Sequence, residues 1–364
     1  MSQERCRKAQ TKMSEVGIDY LFISVGSDMF YLTGYGKRPS ERLTLFVLPK
    51  EGEASMVTAE FEAARLAHVD RFYTVQPWKE TEDPMKILRK LVNPDKKAVI
   101  AIDDKVWGVF VLRMMNVLPE AKFVSADPVL TPLRMVKDAH EIQRLREMGR
   151  RMDKVYEKVL DLRFTGATET NLAEQIQEIV KHEGLKPERP AGVASGPNGA
   201  SPHHETADRV IGKGDGIWLE LGCGGHVDGY RADKTRSVQV APPTEKFKKI
   251  YEIVKQAQQK AFEAICPGVT CESIDAVARK VIAGAGYGEY FTHRVGHGLG
   301  LDGHEPPYLV QGNTLKLQQG MVFSDEPGIY LPGEFGIRIE DIVAVTKNGA
   351  ERFYSSTREL NVVE

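Results

Sequence analysis

Cysteine is scarce in this chain and poorly spaced for chemistry. There are four, Cys6, Cys223, Cys266 and Cys271, and no Cys-x-x-Cys pair among them, so a reduced, unpaired state is expected. No apolar run approaches the ~18 residues of a membrane span, which argues against a membrane partner. The first ten residues, MSQERCRKAQ, are charged and lack an apolar signal core, so a cytoplasmic setting is expected. There is no block of like charge, and the formal net charge is only −2. No polyanionic partner is implied, nucleic acid included. What remains is a chain of 364 residues, 41% hydrophobic, with enough apolar material for ordinary cores and a length that suggests two domains.

The pattern divides the chain near residue 135. In the first part, Arg5 to Val16 reads as a helix stopped at Gly17. Tyr20 to Ser24, Leu43 to Leu48 and Ala98 to Ile102 read as strands, and Glu60 to Leu66 as a helix. This predicts a layered α/β domain over residues 1–130, with no phosphate loop and no clustered ligands. The adjacent acids Asp103 and Asp104 are expected at a solvated strand end.

A second domain is expected over residues 137–364. Asp138 and Glu141 have the spacing of a capping box. They precede an apolar stripe made by Ile142, Leu145, Met148, Met152, Val155, Tyr156 and Val159. Further helices are expected from Thr168 to His182, from Glu245 to Ile265, and from Thr270 to Ala283. The domain also looks repeated. Gly166, Thr168 and Leu172 match Gly268, Thr270 and Ile274 at an offset of 102. Gly196, His204 and Glu205 match Gly296, His304 and Glu305 at an offset of 100. Two similar halves facing each other would build a site between them from both.

Chemistry concentrates in this second domain. HRVGHGLGLDGHEPP, from His293 to Pro307, packs three histidines and a glutamate into a glycine-rich run. SDEPGIY carries Glu326, and GIRIED carries Arg338 and Glu340. Upstream, a hairpin predicted from IWLELG, the turn CGGH and GYRADKTRS would set Glu220 and Asp233 on neighbouring strands. A carboxylate in an apolar strand needs a partner, because burying it ionised and alone is prohibitive. One such acid could pair with Arg231, Arg236 or Arg338. Four carboxylates with His297 fit two divalent ions better than one zinc. His203, His304 and Arg338 remain as supporting or substrate-binding groups. The glycines beside His297 would let backbone and metal approach closely.

These segments carry a resemblance. The ordered series SGPNGASPHH, ADKTRS, GHGLGLDGHEPP, GMVFSDEPGIY and GIRIEDIVAV resembles the pita-bread metallopeptidases of the prolidase and aminopeptidase P group. IDYLFISVGSDMFYLTGY resembles their creatinase-type N-terminal domain. The resemblance implies an α+β fold: a pita-bread catalytic domain with an internal pseudo-twofold repeat, after a smaller α/β domain. It implies hydrolysis of Xaa-Pro bonds in small peptides with proline second, by a dipeptidase or an aminopeptidase. It implies Asp233, His297, Glu326 and Glu340 as metal ligands, with Asp233 and Glu340 bridging two ions of manganese, cobalt or zinc. Glu326 would shuttle a proton, His304 would steady the intermediate, His203 would line the substrate pocket and Arg338 would hold Glu340 or substrate. A homodimer is the usual assembly.

One position departs. The family's first ligand is an Asp in a DLG-type triplet, eleven residues before the second Asp. Here the triplet is Glu220-Leu221-Gly222, and Asp233 comes thirteen residues after Glu220. The extra two fall in the Cys223 to Val227 turn. If they only lengthen the hairpin tip, Glu220 still faces Asp233 as a ligand. If the register shifts, Gly222 takes the place, Asp228 is a weak substitute, and one ion is weak or lost. That departure motivates the alternatives: a relative acting on a non-peptide small molecule, or a binding module.

Overall fold

The computed structural model describes residues 2–68, 72–92, 97–187, 190–224 and 229–364. The chain forms two compact units, Met1–Arg134 and Met135–Glu364.

The first unit is built on a six-stranded sheet. Its strands are β1 (Tyr20–Ser24), β2 (Leu45–Pro49), β3 (Ala54–Ala59), β4 (Tyr73–Trp78), β5 (Val99–Ile102) and β6 (Lys122–Ser125), in the order β4-β3-β2-β1-β5-β6. The apolar runs seen in the sequence supply its core: Phe22, Leu45, Val47, Val57 and Ile100 are buried against Phe110 and Met114. The expected helix from Glu60 ends at Ala63 and tightens into a 3-10 turn over Ala64–His68. The solvated Asp103 is a misreading. Asp103 is only 3% exposed, and Ser24 donates to it from its backbone N (3.2 Å) and its hydroxyl (2.8 Å). Burial pushes this carboxyl up to about 6.

The second unit opens as its sequence predicts. Asp138 and Glu141 form a reciprocal capping box on the helix Ala139–Leu160, with both bonds at 2.9 Å. Helices Glu169–His182 and Cys271–Gly284 have equal length, 14 residues, and start at an offset of 102. Thr168 and Thr270 are their N-caps, and Gly166 and Gly268 both lie at positive φ (85° and 90°) just before them. Each helix leads into its own five-stranded sheet. The first sheet holds β7 (Lys186–Pro187), β8 (Gly192–Ser195), β9 (Gly216–Gly224), β10 (Arg231–Val240) and β18 (Asn361–Val363). The second holds β11 (Gly296–Gly298), β12 (Glu305–Leu309), β13 (Val322–Asp325), β16 (Asp341–Val345) and β17 (Ala350–Arg352), with a separate hairpin of β14 (Gly328–Leu331) and β15 (Phe335–Arg338). The match at an offset of 102 is thus a structural one, a helix pair and a sheet, twice, whereas Gly196 opens a 3-10 turn and its match Gly296 lies in β11.

Candidate metal centre

Four segments from both halves converge on one cavity of 1030 Å³. The first is the hairpin of β9 and β10. Its antiparallel pairing runs without slip from Gly216↔Gln239 to Gly224↔Arg231. Gly222 stands opposite Asp233, and Glu220 opposite Thr235, so the expected pairing of Glu220 with Asp233 does not form and the shifted register, with Gly222 in that place, does. Side chains two apart on a strand share a face, so Glu220, Asp233 and Thr235 all face one side. The turn residues 225–228, Asp228 among them, lie outside the described residues.

His297 comes from β11, which is three residues long. Its flanking glycines answer to backbone crowding. A Cβ on Gly296 would sit 1.9 Å from the Ser324 carbonyl oxygen, and one on Gly298 would sit 2.3 Å from the Glu305 and Pro306 carbonyls. The close approach foreseen from the sequence is therefore that of neighbouring strands. His297 Nδ1 lies 3.1 Å from the carbonyl of Gly298, which fixes that nitrogen as the donor. The other nitrogen, Nε2, points at Glu326 Oε1, 3.1 Å away. Ser324 hydroxyl donates to the same oxygen at 2.9 Å.

Glu340 sits between β15 and β16, where its backbone N–H donates to the Thr235 carbonyl (3.0 Å) and locks the second half to β10. Thr235 hydroxyl donates to Glu340 Oε2 at 2.8 Å, while Glu340 Oε1 is buried without a hydrogen-bond partner. Burial raises the Glu340 carboxyl well above its ordinary value, and the charges of Asp233 and Glu326 add to this. Burial also pushes Glu326 upward, but the hydrogen bond and charge of His297, with His293 and Arg338, outweigh it and hold Glu326 down at about 2. The His297 imidazolium is favoured in turn: burial disfavours its charge, yet Glu326 and Asp233 raise its pKa. The geometry thus favours a proton shared by His297 and Glu326, and leaves an acceptor of Glu340 unmet. A buried set of this kind suits a divalent cation, which would replace the proton and satisfy the acceptor.

The donor atoms of His297, Glu326 and Glu340 lie within 4.8 Å of one another, and so do those of Asp233, His297 and His304. His297 belongs to both groups. His304 is exposed, with its ring stacked on that of His297 (centroids 3.7 Å apart, 19° between planes). His203 lines the cavity beside these groups. Glu220 stands outside both donor groups: Arg338 Nη2 donates to its Oε2 at 2.6 Å. Arg338 also donates through Nε to the Thr235 hydroxyl (3.1 Å), and through Nη1 to Tyr330 Oη (3.0 Å) and the Pro202 carbonyl (3.1 Å). It therefore grips Glu220 directly and reaches Glu340 only through Thr235.

Several supporting residues escaped the sequence reading. Tyr330, four residues past Glu326, joins Arg338 to His293, whose Nε2 is 3.0 Å from the phenol oxygen. Thr235 links Arg338 to Glu340. Arg294 lines the cavity next to His304. Glu305, in the histidine-rich run, is not part of the centre; it is buried in a 2.6 Å ion pair with Lys137. The signal for the first two was faint: a hydroxyl in an otherwise buried strand needs a partner, but the sequence does not say which.

Comparison with known proteins bears on the chain as a whole. The profile of Metallopeptidase family M24 matches residues 143–347, and that of the Creatinase/Prolidase N-terminal domain matches residues 5–136. The chain is 40% identical over 362 residues to a probable dipeptidase, PepE, of Mycobacterium tuberculosis, covering 99% of this chain and 96% of that one. It is 32% identical to an Xaa-Pro dipeptidase of Pyrococcus horikoshii, covering 98% of each. Among solved structures, a recombinant prolidase from Thermococcus sibiricus superposes with a TM-score of 0.94 at 37% identity, covering 100% of this chain and 99% of that one.

Proposed function

The chain belongs to metallopeptidase family M24, with a creatinase-type N-terminal domain ahead of a pita-bread catalytic domain, and from that premise we propose that it is an Xaa-Pro dipeptidase whose metal ligands are Asp233, His297, Glu326 and Glu340. The observation that carries this reading is the donor group of His297, Glu326 and Glu340, with Asp233 close to His297 in the same cavity and a buried oxygen of Glu340 left unmet. Two divalent ions are proposed, manganese, cobalt or zinc, which Asp233, His297, Glu326 and Glu340 would hold. Gly222 stands across from Asp233, and Glu220 is held by Arg338 at 2.6 Å, so the second ion is proposed as the weaker of the two. When bound, such ions polarise a carbonyl and lower the pKa of water to near neutrality.

The chain's own residues do the rest. Proline nitrogen in a peptide bond carries no hydrogen, so it must gain a proton to leave as an amine. Glu326, held ionised, accepts a proton from the attacking water at a carboxylate oxygen and delivers it to that nitrogen. His304, exposed to the cavity above His297, donates to the oxygen that gains charge in the transition state. Arg338 pins Glu220 and, through Thr235, the orientation of Glu340. His203 lines the wall against which substrate rests.

Membership of the family also supports a homodimer, and four free cysteines support a reducing, cytoplasmic setting. No helix among the described residues is long and apolar enough to cross a membrane. The test is metal content together with turnover on a panel of Xaa-Pro dipeptides. Chelation should abolish activity and manganese, cobalt or zinc restore it. Glu340→Gln keeps size and removes charge, so metal content and turnover should fall together. Unchanged metal occupancy in that variant would count against the ligand set.

A further inference from the structure

Asp233 lies at a strand edge that a side chain, not another strand, completes. A residue of an antiparallel strand turns its own N–H and C=O to the same side. Those of Asp233 turn away from β9, toward the edge of β10 that β18 covers only from Val238 to Val240. Tyr354 fills that edge. Its Oη accepts from Asp233 N at 3.2 Å and donates to the Asp233 carbonyl oxygen at 2.5 Å. A phenol can donate and accept at once, so one side chain does for Asp233 what two backbone groups of a neighbouring strand would do. Across β9 the facing residue is Gly222, which offers no side chain against which Asp233 could pack.

The clamp is itself anchored. Asp153, on the helix Ala139–Leu160, holds the residue that follows each partner. Lys234 Nζ donates to its Oδ1 at 2.6 Å, and Ser355 donates to its Oδ2 from N (2.6 Å) and from the hydroxyl (2.8 Å). Lys234 Nζ also lies 4.8 Å from the ring centroids of both Tyr354 and Tyr156. Asp233-Lys234 and Tyr354-Ser355 are thus fixed side by side through one buried carboxylate. Tyr354 does not line the catalytic cavity, so it can reach the metal centre only through Asp233. We propose that Tyr354 is a positioning residue for that centre: its hydroxyl sets the backbone of Asp233, and with it the aim of the Asp233 carboxylate, across 121 residues of chain. This rests on the reading of Asp233 as a metal ligand.

The experiment compares wild type, Tyr354→Phe, Tyr156→Phe and Asp233→Asn in manganese affinity, by competition with a chelating dye, in Tm and in turnover of Met-Pro. Tyr354→Phe keeps the ring and loses only the hydroxyl. Its manganese affinity should fall roughly 10- to 100-fold, the usual effect of removing a group that orients a ligand from behind. Saturating manganese should bring its kcat back to within a few-fold of wild type. Tyr156→Phe is the control. Its ring is also buried and at the same distance from Lys234, but its hydroxyl accepts from Asn361 at 2.9 Å. Its Tm should fall comparably while manganese affinity is kept. Equal losses of affinity in the two Phe variants, or wild-type affinity in Tyr354→Phe beside a loss in Asp233→Asn, would overturn the proposal and leave the ligand assignment standing. If Asp233→Asn binds manganese as tightly as wild type, the ligand assignment itself fails and the clamp's role falls with it. Should Tyr354→Phe not fold, hydrogen exchange on wild type decides. Manganese should then slow exchange in residues 353–356 as well as in residues 231–237, because the coupling is reciprocal. Protection confined to residues 231–237 would overturn the proposal.

Discussion

His204 and His304 match in the sequence at an offset of 100, and the protein uses them for opposite purposes. His204 is tied down: its Nε2 is 3.0 Å from Glu169. Glu169 is wholly buried at the first turn of its helix, where it also accepts from Ser195 N (2.7 Å), Ser195 hydroxyl (2.6 Å), Asn198 Nδ2 (3.1 Å) and Ala207 N (3.1 Å). In the second half the first residue of the matching helix is Cys271, a buried free thiol. With no carboxylate in that place, His304 is left to stack on His297 and face the cavity. One duplicated frame thus holds a carboxylate-anchored loop on one side and a chemically available imidazole on the other.

The comparison can be broken at its anchor. Glu169→Ala leaves several buried donors unmet, and losing one partner of a buried charged network costs ~3–5 kcal/mol. A large drop in Tm, or failure to fold, is expected. A Tm within two or three degrees of wild type would show that the network does not hold the loop. The next largest effect belongs to His304→Ala, which should leave Tm and metal content intact and cut turnover by ~10²–10⁴-fold. A variant within a few-fold of wild type would remove His304 from the chemistry. His204→Ala should show the reverse profile: stability reduced by about 1–2 kcal/mol, and kcat changed far less than in His304→Ala. Measuring denaturant midpoints and kinetics on the same preparations separates the two histidines.

A smaller effect concerns pH. In the metal-free protein the pKa of His297 is raised above 6.5, chiefly by its hydrogen bond to Glu326 once burial is overcome, while Glu326 falls from 4.5 to about 2. The raised imidazole contributes stability that is full below pH 6.5 and is lost as pH climbs through its folded value. The depressed carboxylate contributes stability present above 4.5 and lost as pH falls toward 2. The pair is therefore charged on both sides between those limits. A metal ion has to displace the His297 proton, so affinity should strengthen with rising pH and binding should release a proton. Calorimetry in buffers of different ionisation heat would detect that proton. Its absence would mean that His297 is not displaced.

Much of this was legible before any coordinates. Charged residues in apolar, glycine-bounded strands marked the centre, because a buried acid demands a partner whatever the fold. Equal spacing of Gly166 and Thr168 against Gly268 and Thr270 revealed the duplication, since capping chemistry is local. Asp103 was misread because a pair of acids at a strand end looks solvated until Ser24 arrives from another strand. The partners of Arg338 were illegible for the same reason. Glu220, Thr235 and Tyr330 are 118, 103 and 8 residues away from it, and nothing local specifies which donor a buried acid will find. Glu305 shows the converse: its motif suggested a role at the centre, and Lys137, 168 residues away, claimed it.

The most direct test of the central claim is an anomalous-difference map from crystals of the manganese-loaded protein. The account predicts density in coordinating contact with His297 Nε2, Glu326 and Glu340, and with Asp233. A map with no density there, or density held by other residues while the enzyme still cleaves Xaa-Pro dipeptides, would contradict it.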